Sequence, residues 1–229
     1  MARIEDRLVK SVVIVGETES TDYCIGLVAE VTKDETFVLT QSSFVQDKGD
    51  RIKVSFFDKT ELLASVVAID RSFCMLRTAR HCDSERVYWE EGPITAVSQA
   101  LIFLPFSSTN VSCTRIFVTL ESSDSYHMKS TVVVDGSDEF FLVSCPYTEK
   151  TNAGFDRLLA APVFSMSERA LGIVLFDYNP DSAAEKKVCY LAKGVMAQIS
   201  RLLPSPELPA YTKRRGAEDQ KKGKKRRII

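Results

Sequence analysis

Side chains able to do acid–base, nucleophilic or metal chemistry are few and scattered in this sequence. Two histidines, His81 and His127, and six cysteines, at 24, 74, 82, 113, 145 and 189, are spread over 229 residues. No two cysteines form a CxxC pair, and two histidines are little material for a zinc site, so neither a metal nor a cofactor is expected. Thiol catalysis needs a base within hydrogen-bond reach. Cys145, which ends the apolar run FFLVSC, is the best thiol candidate, with His127 and His81 as candidate bases. The competing reading makes the cysteine a small buried hydrophobe and the histidines solvent-exposed loop residues. His81 sits in the charged string TARHCDSER and His127 in the polar string ESSDSYHMKS. MARIEDRLVK does not read as a secretory signal, so the chain is expected not to be secreted and its thiols to be reduced and mostly buried.

A second group of residues can act through charge alone. From Thr212 onward there are nine Lys or Arg and two Asp or Glu, a net of +7, whereas the rest of the chain carries −8. An acidic body argues against a cationic nucleic-acid-binding face, and the tail is left for weak binding of that kind. Lys213, Arg214 and Arg215 form one basic cluster. Lys221, Lys222, Lys224, Lys225, Arg226 and Arg227 form another, five residues on. Two such clusters have the form of a bipartite nuclear import signal, with an import receptor as partner. The alternative is a solvated basic arm. Location is expected in the nucleus or the cytoplasm. No run reaches the roughly 18 apolar residues of a membrane helix, so no membrane partner is expected.

The elements that must position these residues are short strands. KSVVIVG, CIGLVAEVT, TFVLTQ, RIKVSFF, LLASVVAI and FCMLRT precede Gly92-Pro93, and ALIFLP, TRIFVTL, STVVVD, EFFLVSC, APVFSM, ALGIVLF and KVCYLA follow it. They are rich in β-branched and aromatic residues and broken by polar turns, about six runs on each side. An all-β fold of two six-stranded barrels follows, crossing over at Gly92-Pro93. Only KGVMAQISRLL has a helical period, with Val195, Ile199, Leu202 and Leu203 on one stripe, and it predicts a terminal helix over 193–203. The expected organisation is an N-terminal extension over 1–10, a first barrel over 11–92, a second barrel with the helix over 93–203, and a proline-containing linker with a disordered basic tail over 204–229.

Four segments in sequence order resemble trypsin-like serine proteases of the double β-barrel fold, most of all their Deg branch. CIGLVAEVTKDETFVLTQSSFV resembles the family's glycine-bearing strand and VLTNAHVV run. RIKVSFFDKTELLASVVAIDRSFCMLRT resembles the stretch ending in DLALLKV. APVFSMSERALGIVLF resembles the GGPLF strand pair after the nucleophile, and VCYLAKGVMAQISRLL resembles the last strand and helix. The likeness covers roughly residues 11–203. It implies a Ser–His–Asp triad, in which the imidazole takes the serine proton and the carboxylate orients it. Carried over by position, the histidine place holds Ser43, the carboxylate place Phe73 (or Cys74 with one residue of slippage) and the serine place Leu159. Arg157 stands where a glycine would complete the oxyanion hole, and Ala160 and Ala161 replace the two glycines after the serine. The resemblance therefore implies a catalytically degenerate member, a pseudoprotease without hydrolase activity. Two readings of the refilled site stay open: a fold that kept its core after losing its chemistry, and a groove that binds a protein or peptide by strand addition. The rival functions are a peptidase with residues relocated to Cys145, His127 or His81, and a nucleic-acid-associated protein working through its tail.

Overall fold

The apolar runs become strands buried on one or both faces. A computed structural model of the chain describes residues 8–90, 99–105, 113–121, 140–144, 160–177 and 186–204. In the first half, β1 (Val12–Glu17), β2 (Tyr23–Val31), β3 (Glu35–Gln41), β4 (Ile52–Ser55), β5 (Glu61–Leu63), β6 (Ser65–Ile69) and β7 (Phe73–Ala79) form one antiparallel sheet, ordered β5-β4-β1-β2-β3-β7-β6. Seven strands stand where six runs were expected because residues 61–69 break at Ala64. That residue is buried, and its N–H donates to the Ile52 carbonyl at 2.9 Å, the last bond in register with the β4–β5 ladder, while residues 65–69 turn to pair with β7. The two end strands of the sheet are thus halves of one bent strand, and the sheet curls back on itself through Ala64.

In the second half, β8 (Gln99–Pro105), β9 (Cys113–Glu121), β10 (Phe140–Ser144), β11 (Pro162–Ser165), β12 (Ala170–Asp177) and β13 (Lys186–Leu191) close into a six-stranded barrel, ordered β10-β13-β12-β11-β8-β9. The all-β expectation of two barrels with a terminal helix holds. The helix spans Ala192–Leu202 and buries Val195, Ile199 and Leu202. Gly194 is needed there, because a Cβ would sit 2.3 Å from the Tyr190 ring. The crossing at Gly92-Pro93, the run STVVVD and the tail after 204 lie outside the described residues.

Alternation along the strands explains how the barrels join. In β1, β2, β3 and β7, Val13, Val15, Cys24, Val28, Val38, Cys74 and Leu76 point into the first barrel and pack with Phe56 and Ile52. The intervening Val12, Ile25, Leu27, Phe37, Leu39, Phe73 and Met75 face the other way, into a core shared with Ala100, Ile102, Val163 and Ile173 of the second barrel. A period of two with both faces apolar is what a sheet buried on both sides requires. The connector is tied to both barrels: Glu85 N–H bonds the Lys10 carbonyl, Val87 N–H the Val28 carbonyl, and Glu90 N–H the Ala170 carbonyl. Trp89 bridges Ala170 in parallel.

Candidate functional site

The end of β3 and the start of β7 lie side by side, since Gln41 pairs with Phe73. A short helix, Ser42–Val45, follows β3 at once. It went unread in the sequence because a single turn offers no apolar period. Ser42 fixes it to the β6–β7 turn twice: its N–H donates to the Ser72 carbonyl at 3.1 Å and its hydroxyl to the Arg71 carbonyl at 2.8 Å. Ser43 and Phe73 each lie one residue beyond the Ser42–Ser72 bond, so the fold brings these two positions together. Ser43 is exposed.

Phe73 is buried, 2% exposed. Its ring stacks near Tyr190 with centroids 6.3 Å apart, and Tyr190 lies 5.5 Å from Phe140. The nearest carboxylate in the chain, Asp70, is committed elsewhere. One of its oxygens accepts the N–H groups of Ser72 at 2.9 Å and Phe73 at 2.7 Å, and the other accepts from Arg201 of the terminal helix at 2.7 Å. Cys74, the slipped alternative, points into the first barrel, where burial pushes its thiol up to about 12. Neither residue supplies an ionised group next to Ser43.

Leu159, Arg157, Cys145 and His127 lie outside the described residues. Ala160, next to Leu159, is buried and has a φ of 66°. That left-handed conformation suits glycine and costs a residue with a Cβ about 1 kcal/mol. It is held from outside: Ala160 N–H bonds the Val174 carbonyl and Val174 N–H bonds the Ala161 carbonyl, each at 2.9 Å. The turn keeps a glycine-type backbone without the glycine.

His81 is not the exposed loop histidine that its charged neighbours suggested. It is 4% exposed and lies flat on Phe56, with ring centroids 4.2 Å apart and planes 4° from parallel. Phe57 meets it edge-on at 5.7 Å. Nδ1 lies 2.9 Å from the Ser84 hydroxyl, Nε2 lies 3.1 Å from Asp58 Oδ2, and the backbone N–H donates to the Thr36 hydroxyl at 3.1 Å. Partners some 25 residues upstream in sequence draw the ring in. Asp58 and Ser84 were missed; the only signal was a serine three residues after the histidine. Burial works against ionisation of Asp58, but hydrogen bonds from the Thr60 N–H, the Thr60 hydroxyl and His81 outweigh it and hold the carboxyl below its ordinary value.

Ser84, His81 and Asp58 thus form a hydrogen-bonded serine–histidine–aspartate chain. Ser84 is only 8% exposed, and its N–H is spent on the His81 carbonyl. A nucleophile needs an open face, and Ser84 is nearly closed to solvent. The trio pins the β4–β5 turn to the chain after β7.

Cys24, Cys74 and Cys189 are buried, as expected, but Cys82 is exposed. Burial raises the Cys24 thiol to about 12, although the Thr40 hydroxyl contacts its sulfur at 3.1 Å. Among the described residues no group of three or more His, Cys, Asp or Glu is placed to hold a metal, and no helix is long and apolar enough to cross a membrane. A pocket of about 370 Å³ opens between the connector and the β11–β12 turn, lined in part by Leu8, Arg86, Phe164 and Arg169. Neither Ser43 nor Phe73 reaches it.

No protein-family profile and no curated protein matches the chain. Solved structures do. The inactive form of the Rv3671c protease is 14% identical, with a TM-score of 0.63, over 88% of this chain and 93% of that one. The active form of the same protease, from M. tuberculosis, is 15% identical, with a TM-score of 0.63, over 90% of this chain and 86% of that one. A scabies mite inactivated protease paralogue is 14% identical, with a TM-score of 0.60, over 86% of this chain and 95% of that one. The likeness is one of fold, and the two-barrel architecture is that of trypsin-like serine proteases.

Proposed function

We propose that this chain, built on the trypsin-like serine protease fold, is a non-catalytic protein that works inside the cell by holding a protein or peptide partner. The observation that supports the reading is that Phe73, which the sequence resemblance matches to the triad carboxylate, is buried against Tyr190. With Ser43 in the histidine place and Leu159 in the serine place, base, orienting group and nucleophile are all replaced. A triad acts as a unit, so loss of one member already costs several orders of magnitude in rate. An activity-based fluorophosphonate probe and a generic protein substrate test this together. No labelling and no cleavage are expected.

A second reading, a relocated peptidase, draws on the serine–histidine–aspartate chain at Ser84, His81 and Asp58. Probe attached to Ser84, or cleavage abolished by Cys145→Ala or His127→Ala, would establish it and defeat the first. Nuclear import through the basic clusters belongs to the main reading. Fusion to a cargo too large to diffuse, with Lys224, Lys225, Arg226 and Arg227 changed to alanine, tests it: equal nuclear accumulation with and without those charges removes the import role. Salt-sensitive nucleic-acid binding that vanishes without residues 212–229 would then mark the tail as a polyanion-binding arm.

A further inference from the structure

We propose that the pocket between the connector and the β11–β12 turn binds a free α-amino acid with a large apolar side chain. Three segments wall it: Leu8 ahead of β1, Arg86 and Tyr88 of the connector, and Glu168 and Arg169 of the turn. Its volume of about 370 Å³ lies near the lower end of the roughly 300–1,000 Å³ of small-molecule sites. That is room for one small solute.

The charges of the lining fall into two kinds. Glu85 is paired with Lys10 at 3.5 Å. Arg86 is paired with Glu30 at 3.5 Å, and its guanidinium lies over the Tyr88 ring, 5.9 Å from the centroid. Glu168 and Arg169, in contrast, have no countercharge. Among the described residues the Glu168 carboxylate accepts no hydrogen bond and enters no ion pair, and the Arg169 guanidinium reaches only the Trp89 carbonyl, at 3.3 Å. The two are neighbours in sequence and share one wall, yet they do not pair with each other. Their turn is fixed: Glu168 stands in left-handed backbone at a φ of 67°, its N–H donates to the Ser165 carbonyl at 3.0 Å, and Ser165 N–H donates to the Arg169 carbonyl at 2.8 Å. An acid and a base left over in one pocket call for a solute that carries both charges. A carboxylate suits the planar guanidinium and an ammonium suits the glutamate, whereas a simple anion or cation satisfies one group and is repelled by the other.

The remaining wall sets the third group of the ligand. Leu8 and Phe164, 4% and 1% exposed, supply apolar surface, and Tyr88, 48% exposed, supplies an aromatic side. Ammonium, carboxylate and an apolar side chain meet on one carbon in a free amino acid. Inside a peptide the two charges are consumed in amide bonds, and the turn would stay unsatisfied. The site uses neither Ser43 nor Phe73, so this inference goes beyond the proposed partner binding and does not rest on it.

Backbone-amide NMR of the full chain, titrated with L-phenylalanine, tests it. Saturable shifts are expected at Arg86, Tyr88, Glu168 and Arg169, with a Kd of about 1 mM, as suits a ligand of about a dozen heavy atoms. Three analogues are expected to bind at least about tenfold more weakly, because each leaves a charged partner unmet. They are phenethylamine, without the carboxylate; 3-phenylpropionate, without the ammonium; and N-acetyl-L-phenylalanine amide, without either charge. Glu168→Gln and Arg169→Gln should each weaken L-phenylalanine about tenfold as well, with amide shifts away from the pocket unchanged. If a variant fails to fold, the analogues decide, since they need no variant. No saturable shift up to about 20 mM overturns the proposal, that being well beyond any useful affinity. Equal binding of an analogue, which would mark a simple ion site or a plain apolar hollow, overturns it too, and so does full affinity in either folded variant.

Discussion

The two halves of the first barrel obey different rules. In β1, β2, β3 and β7 nearly every side chain is inside something: odd positions fill the barrel and even positions fill the core shared with the second barrel, or the reverse. In β5 and β6 the outer positions meet water, and Leu63, Val66 and Ile69 stand 67%, 42% and 47% exposed. The positions that the sequence resemblance matches to the triad histidine and carboxylate, Ser43 and Phe73, lie just after β3 and at the start of β7, and of the two Phe73 is buried while Ser43 is exposed. A working protease must tolerate charge in such a place. At position 73 the surroundings favour an apolar side chain, worth roughly 1.5–3 kcal/mol on burial. On this comparison Phe73 is a piece of the shared core.

The comparison can be broken most directly by putting a carboxylate at position 73. Phe73→Asp should cost about 4 kcal/mol or more, because it removes a buried ring and leaves an unpaired charge beside Tyr190. Chemical denaturation would show a much lower midpoint, or little soluble protein. A variant as stable as the original would mean that the position is not part of the shared core.

The next effect belongs to the buried histidine. His81→Ala should cost roughly 2–3 kcal/mol, through the lost stacking on Phe56 and an orphaned Ser84 hydroxyl. Asp58 adds a pH signature. Its carboxyl titrates lower in the folded chain than in the unfolded one, so its contribution is present above the unfolded value near 4 and is lost as pH falls through the folded value. Glu17, held down by Lys48 and Arg51, and Glu61, held down by Lys53 and Ser55, act in the same direction. Stability measured by denaturation should decline below about pH 4, and Asp58→Asn should shallow that decline. An unchanged acid limb would show that the trio contributes nothing.

Smaller effects sharpen the contrast. Ala160→Gly should stabilise by about 1 kcal/mol, because glycine accepts the 66° φ that alanine is forced into. A thermal melt that moves down instead would mean that the methyl group is packed usefully. Leu63→Ser, on the open half, should change stability by no more than about 0.5 kcal/mol. A large loss there would erase the distinction between the halves.

Much of the architecture was legible because it depends on periodicity. Alternation in VVIVG and FVLTQ predicts strands whatever lies opposite, and Val195, Ile199 and Leu202 mark a helix face by spacing alone. What escaped depends on partners remote in sequence. TARHCDSER reads as exposed because its own neighbours are polar, while Phe56, Asp58 and Thr36, which bury His81, come from other strands and turns. The break at Ala64 was hidden for the same reason: LLASVVAI is a run without charge, proline or glycine, and it divides only because its first part pairs with β4 and its second with β7. At the site, the residue types at 43 and 73 could be read by position, but the bonds that Asp70 accepts from Arg201 and two backbone amides could not.

The connector gives the molecule a reporter of its own. Trp89 is the chain's one tryptophan, and it lies in the segment tied to both barrels, partly buried against their common core. Excited near 295 nm, the protein emits from a single indole placed at the seam. Parting of the two halves would wet that ring and shift its emission to the red, while circular dichroism from the strands stayed constant. Loss of strand signal at the same denaturant concentration would instead identify a single cooperative block. One intrinsic fluorophore can thus time the seam against the sheets.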